Sequence, residues 1–296
     1  MNEITALPKA IKARSLHLQA QADALQAFGL IVRSALEQLR DNAELLVQAY
    51  DEEYIHQLRV AARRLRSALA LFGVAEPALR RPPFLPALRR LARTLGESRD
   101  RDVLCAETLP RLLDEDDGLH AHFAVGRQQA RVAAVSAIEA AAFATLLADI
   151  ESWLDGLGRD ARAPLHKAIG KLAPRLLERR LHRLRKRGRH LAQLPDAERH
   201  AARIAAKELR YAAEFLGSLY PAERVKPFIH ALAALQDTLG RLNDLVTLER
   251  LCADLTDAHA AAHLLAAGRA DACAAHAELD QVWQCFRHTP AFWHQD

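Results

Sequence analysis

The chain has 296 residues, a net charge of +4 and a hydrophobic content of 50%, with only 5% aromatic residues. This length suits one large domain or two of about 150 residues, and the hydrophobic content is sufficient for a buried core. Because alanine and leucine dominate while glycine and proline number only 12 each, the composition excludes a β-rich fold and predicts an all-α protein.

Apolar residues recur at helical spacing along almost the whole chain, and glycines and prolines mark the ends of the helices. Gly96 is expected to interrupt or bend one helix, residues 114–118 to form an acidic turn, and Gly156, Gly158 and Pro164 to mark a linker. The predicted helices cover residues 18–50, 53–72, 84–95 with a continuation to 112, 119–154, 165–193, 196–219, 225–254 and 256–285.

The second half of the chain repeats the first half at an offset of 144 residues, which aligns His56 with His200 and Asp100 with Asp244. Because the connections are short, each repeat is expected to pack as an antiparallel helical bundle. The predicted organisation is an N-terminal tail at 1–17 and one domain at 18–293, with repeat one at 18–155 and repeat two at 162–293.

Signals for export and membrane insertion are missing from the sequence as given. The first residues contain no apolar segment of signal-peptide length, and no stretch approaches 18 uncharged apolar residues. We therefore expect a cytoplasmic location and no membrane partner. The four cysteines form no CxxC pair, which is typical of reduced thiols in the cytosol.

Each repeat carries a stripe of cationic side chains on one helix, opposite the leucines that enter the bundle. The first stripe contains no acid between residues 56 and 71, whereas the second contains Glu208 and Glu214. Glu214 lies one helical turn after Arg210 and could pair with it. The stripe residues are His56, Arg59, Arg63 and Arg66 in the first repeat, and His200, Arg203, Lys207 and Arg210 in the second.

A third and denser basic cluster lies between Arg175 and His190, where Glu178 is the only acid. Like charges one turn apart repel by a few tenths of a kcal/mol, so such a cluster favours a bound anion. Arginine suits phosphate because its planar guanidinium donates two parallel hydrogen bonds. For all three basic regions the alternative is a solvated helix face without a specific role. The candidate anion-binding residues of the cluster are Arg179, Arg183, Lys186, Arg187 and Arg189.

These residues resemble the CHAD domain, a histidine-containing α-helical domain often found beside CYTH triphosphatase domains. The resemblance extends from about residue 18 to about residue 290. It rests on four blocks in the expected order: His56-x-x-Arg59-x-x-x-Arg63-Arg64-Leu65-Arg66, Leu95-Gly96 with Arg99-Asp100-x-Asp102, His200-x-x-Arg203-x-x-x-Lys207-x-Leu209-Arg210, and Leu235-Gln236-x-x-Leu239-Gly240-x-x-Asn243-Asp244.

The resemblance implies two pseudo-symmetric helical bundles around a basic central cavity. It also implies binding of long-chain inorganic polyphosphate and, in some members, attachment to polyphosphate granules. Both stripes match the family's motif residue by residue. Because Arg64 also stands in the matching block, it is included among the candidate polyphosphate-binding residues. Glu208 stands where the first repeat has Arg64, so the two stripes are not expected to contribute equally. No acidic tunnel motif of a CYTH triphosphatase occurs, so no fused triphosphatase activity is expected.

The sequence therefore predicts a binding protein for inorganic polyphosphate, without catalysis, cofactor or metal. Polyphosphate-metabolising enzymes and granule proteins are candidate partners. Nucleic acid is the first alternative ligand, although the basic segments lack the interleaved aromatic residues that stack on bases. A metal-dependent phosphohydrolase acting on polyphosphate is the second alternative.

Asp100, Asp102 and Asp244 are the carboxylates that such a phosphohydrolase would use. We instead expect structural ion pairs around the sequence Arg99-Asp100-Arg101-Asp102. His259 and His263 have the spacing of a helical metal pair, but no third ligand is near them in sequence. The three tryptophans are expected to pack in the core or at an interface rather than to stack on a ligand.

Overall fold

The structure is a computed structural model that describes residues 7–112, 119–160, 163–253, 255 and 258–294. Within these residues every extended element is a helix, and the only β-type pairing is an isolated bridge between Asp23 and Ala168. The predicted all-α fold is therefore confirmed. The acidic turn expected at 114–118 lies outside the described residues.

The chain divides into two compact units, the first of which holds Leu25–Pro110 and most of the residues up to His166. Its core contains Phe28, which packs against Phe72 at 5.2 Å and against Trp153 at 6.2 Å between ring centroids. The helices of this part of the chain are α1 (Ala24–Gln48), α2 (Glu52–Phe72), α3 (Leu85–Val103), α4 (Leu109–Leu112), α5 (Leu119–Glu139) and α6 (Ala141–Asp160).

The second unit holds Lys167–Asp296 together with the segment His17–Ala24. That segment lies beside the start of the second unit's first helix, where Ala24 N donates to Lys167 O and Ile169 N donates to Ala22 O. Phe228 lies in the core of this unit and contacts the Trp293 ring at 5.2 Å between centroids. Its helices are α7 (Ile169–Arg187), α8 (Asp196–Leu216), α9 (Ala222–Cys252) and α10 (Ala258–His288).

Helix α2 shows how the local sequence defines the element that carries the first stripe. Asp51 caps its N-terminus by accepting a hydrogen bond from Glu53 N at 2.7 Å, and acids in the first turn favour the helix dipole. The helix ends at Gly73. Helix α8 has the same length of 21 residues and begins and ends 144 residues later, and the tandem duplication stays a prediction.

Several predicted helix ends differ from the structure. Helix α3 runs through Gly96 without a break, and the interruption comes instead at a π-helical turn, Leu104–Thr108. The helix expected at 119–154 is divided near Ala140 into α5 and α6, which meet at 54°. The linker expected at Gly156 is also wrong, since α6 continues to Asp160. Small residues at these positions are tolerated within helices because tertiary packing outweighs their weak local preference.

No single helix in the described part of the chain is long and apolar enough to cross a membrane, although α5 and the part of α6 up to Leu157 pass that test jointly as a bent pair. All four cysteines are free thiols, as predicted. Trp283 and Trp293 are buried, and Trp153 packs against Phe28 and Phe84, so the expectation of structural tryptophans is confirmed.

Candidate functional site

The first stripe lies along α2 in the first unit. His56, Arg59, Arg63 and Arg66 follow one another at three- or four-residue spacing, and all four side chains are at least partly open to solvent. Arg64 differs from them, because only 5% of its surface is exposed and it lies toward the core side of the helix. The structure therefore brings four of the five candidate residues of α2 to one surface.

Arg59 is held in place by α3. Its Nη1 donates to Gly96 O at 2.9 Å and to Asp100 Oδ1 at 3.0 Å. A Cβ at position 96 would lie 3.1 Å from the same Nη1, so the glycine makes room for the guanidinium. Gly96 thus serves this contact rather than a helix break, and part of the Arg59 charge is already balanced by a carboxylate.

Arg63 and Arg66 are less compensated. Neither forms an ion pair with a carboxylate of the described residues. Partial burial lowers the pKa of the Arg66 guanidinium, and the nearby positive charges of Arg89 and Arg63 lower it further. Arg89 comes from α3, on the helix side that also presents Gly96 and Asp100. Sequence reasoning missed Arg89, although its spacing from Gly96 and Asp100 was the available signal.

His56 stands at the N-terminal end of the stripe. Burial lowers the pKa of its imidazole, the carboxylate of Glu53 opposes this shift, and the charges of Arg99, Arg59 and Arg63 add to it. The ring is therefore mainly neutral at pH 7 in the free protein. Arg99, a further cation from α3, forms an ion pair of 2.9 Å with Glu107 across the π-helical turn.

The second stripe lies along α8 in the second unit and has more polar partners. His200 Nδ1 lies 2.8 Å from Asn243 Oδ1, an arrangement in which the ring N–H donates to the amide oxygen. Arg210 Nε donates to Glu214 Oε1 at 2.9 Å, which confirms the predicted pair. Arg203 and Lys207 are both half-buried. This stripe presents a smaller excess of positive charge than the first.

The basic cluster on α7 does not form a single surface. Arg183 and the buried Arg180 both donate to Glu208 Oε2 on α8, at 2.8 and 2.7 Å. Arg179 and Arg187 are exposed at four-residue spacing from Arg183, on its side of the helix. The two other candidates, Lys186 and Arg189, lie toward α10.

Comparison with known proteins places this geometry in a family. A model described as the CHAD domain matches residues 30–253 of the chain. The chain belongs to the CHAD domain family. The crystal structure of the CHAD domain from the plant Ricinus communis is 31% identical and superimposes with a TM-score of 0.84, covering 96% of this chain and 98% of that chain.

A second solved structure, PptA from Streptomyces chartreusis, shares the fold. It is 19% identical, has a TM-score of 0.65, and the match covers 89% of this chain and 100% of that chain. A comparison with curated proteins finds no match. The predicted family is thus confirmed for most of the chain.

Two of the three carboxylates that a phosphohydrolase would need, Asp100 and Asp102, are bound to arginines in this CHAD domain. Asp102 is 0% exposed, and its Oδ1 accepts hydrogen bonds from Arg127 and Arg131 at 2.8 and 3.0 Å. Its Oδ2 accepts one from the hydroxyl of Tyr50 at 2.8 Å. With Asp100 bound to Arg59, the expectation of structural ion pairs is met, although the partners come from α2 and α5 rather than from neighbouring residues.

A metal site requires several ligating side chains close together. No group of three or more histidine, cysteine, aspartate or glutamate side chains with suitable geometry is found within the part of the chain that the structure describes. His259 and His263 both lie on α10.

Proposed function

We propose that this CHAD domain protein binds inorganic polyphosphate, without catalysis, through the cationic faces of α2 and α8 and the adjoining basic residues of α7. The observation that carries the proposal is the surface formed by Arg63, Arg66 and Arg89. Arg63 and Arg66 form no ion pair with a carboxylate of the described residues, partial burial lowers the pKa of Arg66, and the positive charges of Arg89 and Arg63 lower it further. A phosphate chain would relieve this repulsion, since each guanidinium can bind two phosphate oxygens.

Polyphosphate fits these faces better than nucleic acid does. The cations follow a helix axis at intervals of about 5–6 Å, and a chain of phosphates can meet them in succession. No side chain from the stripes offers a base-stacking ring other than the histidines. Membership of the family supports the same ligand class, and association with polyphosphate granules, a cytoplasmic location and granule or polyphosphate-metabolising partners belong to the same proposal.

Calorimetric titration of long-chain polyphosphate at two salt concentrations tests the proposal. The variants Arg63→Gln/Arg66→Gln and Arg203→Gln/Lys207→Gln are each expected to weaken binding by at least about tenfold, since hydrogen bonds to charged groups contribute about 1.5–3 kcal/mol. The steep decrease of affinity with salt should become shallower in both variants, because fewer counterions are released.

A control variant removes exposed cations elsewhere in the chain: Lys171→Gln/Lys226→Gln/Arg269→Gln. If the control loses as much affinity as the stripe variants, binding depends on overall charge and not on the stripes. If single-stranded RNA at equal phosphate concentration displaces polyphosphate, nucleic acid is the better ligand. Magnesium-dependent release of orthophosphate would contradict the absence of catalysis.

Binding is expected to strengthen as the pH falls from about 7.5 to 5.5, and His56 should account for part of the change. In the free protein its pKa lies below the ordinary value of 6.5, so it is neutral at pH 7. A bound anion counteracts the repulsion from Arg99, Arg59 and Arg63 and raises this pKa, so binding takes up a proton.

The His56→Gln variant should therefore lose part of the pH dependence, up to about tenfold in affinity for each unit by which the anion raises the pKa. Polyphosphate titrations at several pH values measure this change. The variant His263→Gln, at an exposed position on α10, serves as the control. An unchanged pH profile in His56→Gln would show that His56 does not titrate on binding.

A further inference from the structure

A further strongly basic surface lies within the second unit, between α7 and α10. It is a groove of about 1330 Å³ between the C-terminal part of α7 and the C-terminal part of α10. Four permanently charged side chains and three histidines line it, and Asp280 is the one acid among the lining residues. The cations are Arg185, Lys186, Arg189 and Arg287, and the histidines are His182, His190 and His288.

The four cations of the groove lack close carboxylate partners among the described residues. None of them forms an ion pair within 4 Å with a carboxylate in the described ranges of the chain. They differ in this respect from three other arginines, each of which forms an ion pair with a carboxylate. These pairs are Arg59 with Asp100, Arg183 with Glu208 and Arg210 with Glu214.

Glu178, the only acid of the basic cluster, is committed to another contact. Its Oε2 accepts hydrogen bonds from Trp293 Nε1 at 3.0 Å and His294 Nε2 at 2.8 Å. Burial acts to raise the pKa of this carboxyl, but the two hydrogen bonds and the positive charge of Arg185 outweigh it and lower the pKa. Glu178 thus fixes the segment after α10, and it interacts with Arg185 electrostatically without an ion pair within 4 Å.

The dipoles of the two helices do not account for the charge excess. The C-termini of α7 and α10 both end at the groove, and cations are favourable there. Each helix end contributes a negative charge of only about one half, so the two together offset about one of the four positive charges. Asp280 offsets another and Glu178 interacts electrostatically with Arg185, which still leaves the groove with a net positive charge even when the histidines are neutral.

The walls of the groove are built to hold this shape. The Trp283 ring packs so closely on the end of α7 that a Cβ at Gly188 would lie 2.5 Å from it. His276 Nε2 lies 2.8 Å from Ala192 O and joins α10 to the turn that follows α7. His190, in that turn, has a φ of 57°, a left-handed conformation that is unfavourable for a non-glycine residue. Such conformations occur preferentially at functional sites.

We propose that this α7–α10 groove is a separate binding site for a short run of phosphates. The residues that would bind the phosphates are Arg185, Lys186, Arg189 and Arg287. Its α7 wall extends over about 8 Å from residue 182 to the end of the helix at Arg187, which suits a short run of phosphates. Among the lining residues Trp283 is the one aromatic residue besides histidine, and it is only 3% exposed, so the three histidines are the only rings that the groove offers for base stacking. The choice of polyphosphate as ligand follows the proposed function, but the site does not depend on the stripes.

Calorimetric titration of the full chain with inorganic tripolyphosphate tests the groove. In the variant Arg185→Gln/Arg189→Gln/Arg287→Gln, the affinity of the groove for tripolyphosphate is expected to fall. It should be at least about tenfold lower than in the control Lys171→Gln/Lys226→Gln/Arg269→Gln, so that one class of binding site is lost from the titration. The single charge reversal Arg287→Glu, at the exposed end of α10, should act in the same direction. Circular dichroism melting confirms that each variant is folded.

The outcomes separate the groove from the stripes. Equal affinity of the groove variant and the control overturns the groove, and if Arg63→Gln/Arg66→Gln weakens binding at the same time, the stripes remain the site. Loss of binding in the groove variant alone supports the groove and contradicts the stripes. Displacement of tripolyphosphate by single-stranded RNA at equal phosphate concentration would overturn the assignment of a phosphate chain.

Discussion

Replacing Asp102 by asparagine is expected to lower the free energy of unfolding by about 3–5 kcal/mol, the usual result of breaking a buried ion pair. The Asp102 carboxylate is completely buried and accepts hydrogen bonds from Arg127, Arg131 and Tyr50. An amide at this position removes the charge that compensates two guanidiniums. Their remaining carboxylate partner, Glu52, is 2.9 Å from Arg127 and 3.9 Å from Arg131 and has a side chain 41% exposed.

Urea unfolding measures this loss, and Asp100→Asn is the matched control. Asp100 also pairs with an arginine, but its side chain is 33% exposed, so removing its charge should cost about 1 kcal/mol or less. Equal losses in the two variants would contradict the dominant role of burial at Asp102.

Tyr50 provides a second readout of the same network. Burial raises the pKa of its hydroxyl to about 12, and the contact with Asp102 adds to the effect while Arg131 opposes it. The guanidinium of Arg131 also lies 4.5 Å from the centre of the Tyr50 ring. In Asp102→Asn the Tyr50 pKa should fall, which an absorbance titration of the phenolate would detect.

The sequence predicted the positions of helices better than the contacts between side chains of different helices. Helix α2 could be located almost to the residue, because an apolar stripe and a following glycine agree. Gly96 was misread since a glycine within a helical pattern weakens a helix locally. Its role depends on Arg59, which comes from another helix 37 residues earlier. Periodicity describes one helix at a time and carries no information about such pairs.

The candidate site shows the same limit. The stripe on α2 follows directly from the spacing of His56, Arg59, Arg63 and Arg66. The division of the α7 cluster does not, because it depends on which neighbour each side of the helix meets. Arg183 meets Glu208 on α8, whereas Arg189 faces α10. Arg287 was missed for this reason, since it joins the cluster from nearly 100 residues away.

Glu208→Gln is expected to change stability and polyphosphate binding in opposite directions. Glu208 accepts hydrogen bonds from Arg180 and Arg183, whose side chains are 8% and 44% exposed. Losing the carboxylate leaves the buried Arg180 without this ion pair and should lower the free energy of unfolding by about 2–3 kcal/mol. The same change frees the more exposed Arg183 and removes a negative charge beside the second stripe, so affinity for polyphosphate should rise about fivefold, or about 1 kcal/mol.

A charge-matched control for Glu208→Gln is Glu223→Gln, in the exposed first turn of α9. Thermal melting and polyphosphate titration of both variants at one salt concentration separate a local effect from a change in net charge. A gain confined to Glu208→Gln would show that Glu208 restrains arginines that polyphosphate can use. Weaker binding in Glu208→Gln would mean that Glu208 positions Arg183 for the ligand, because the carboxylate would then act through geometry and not through its charge.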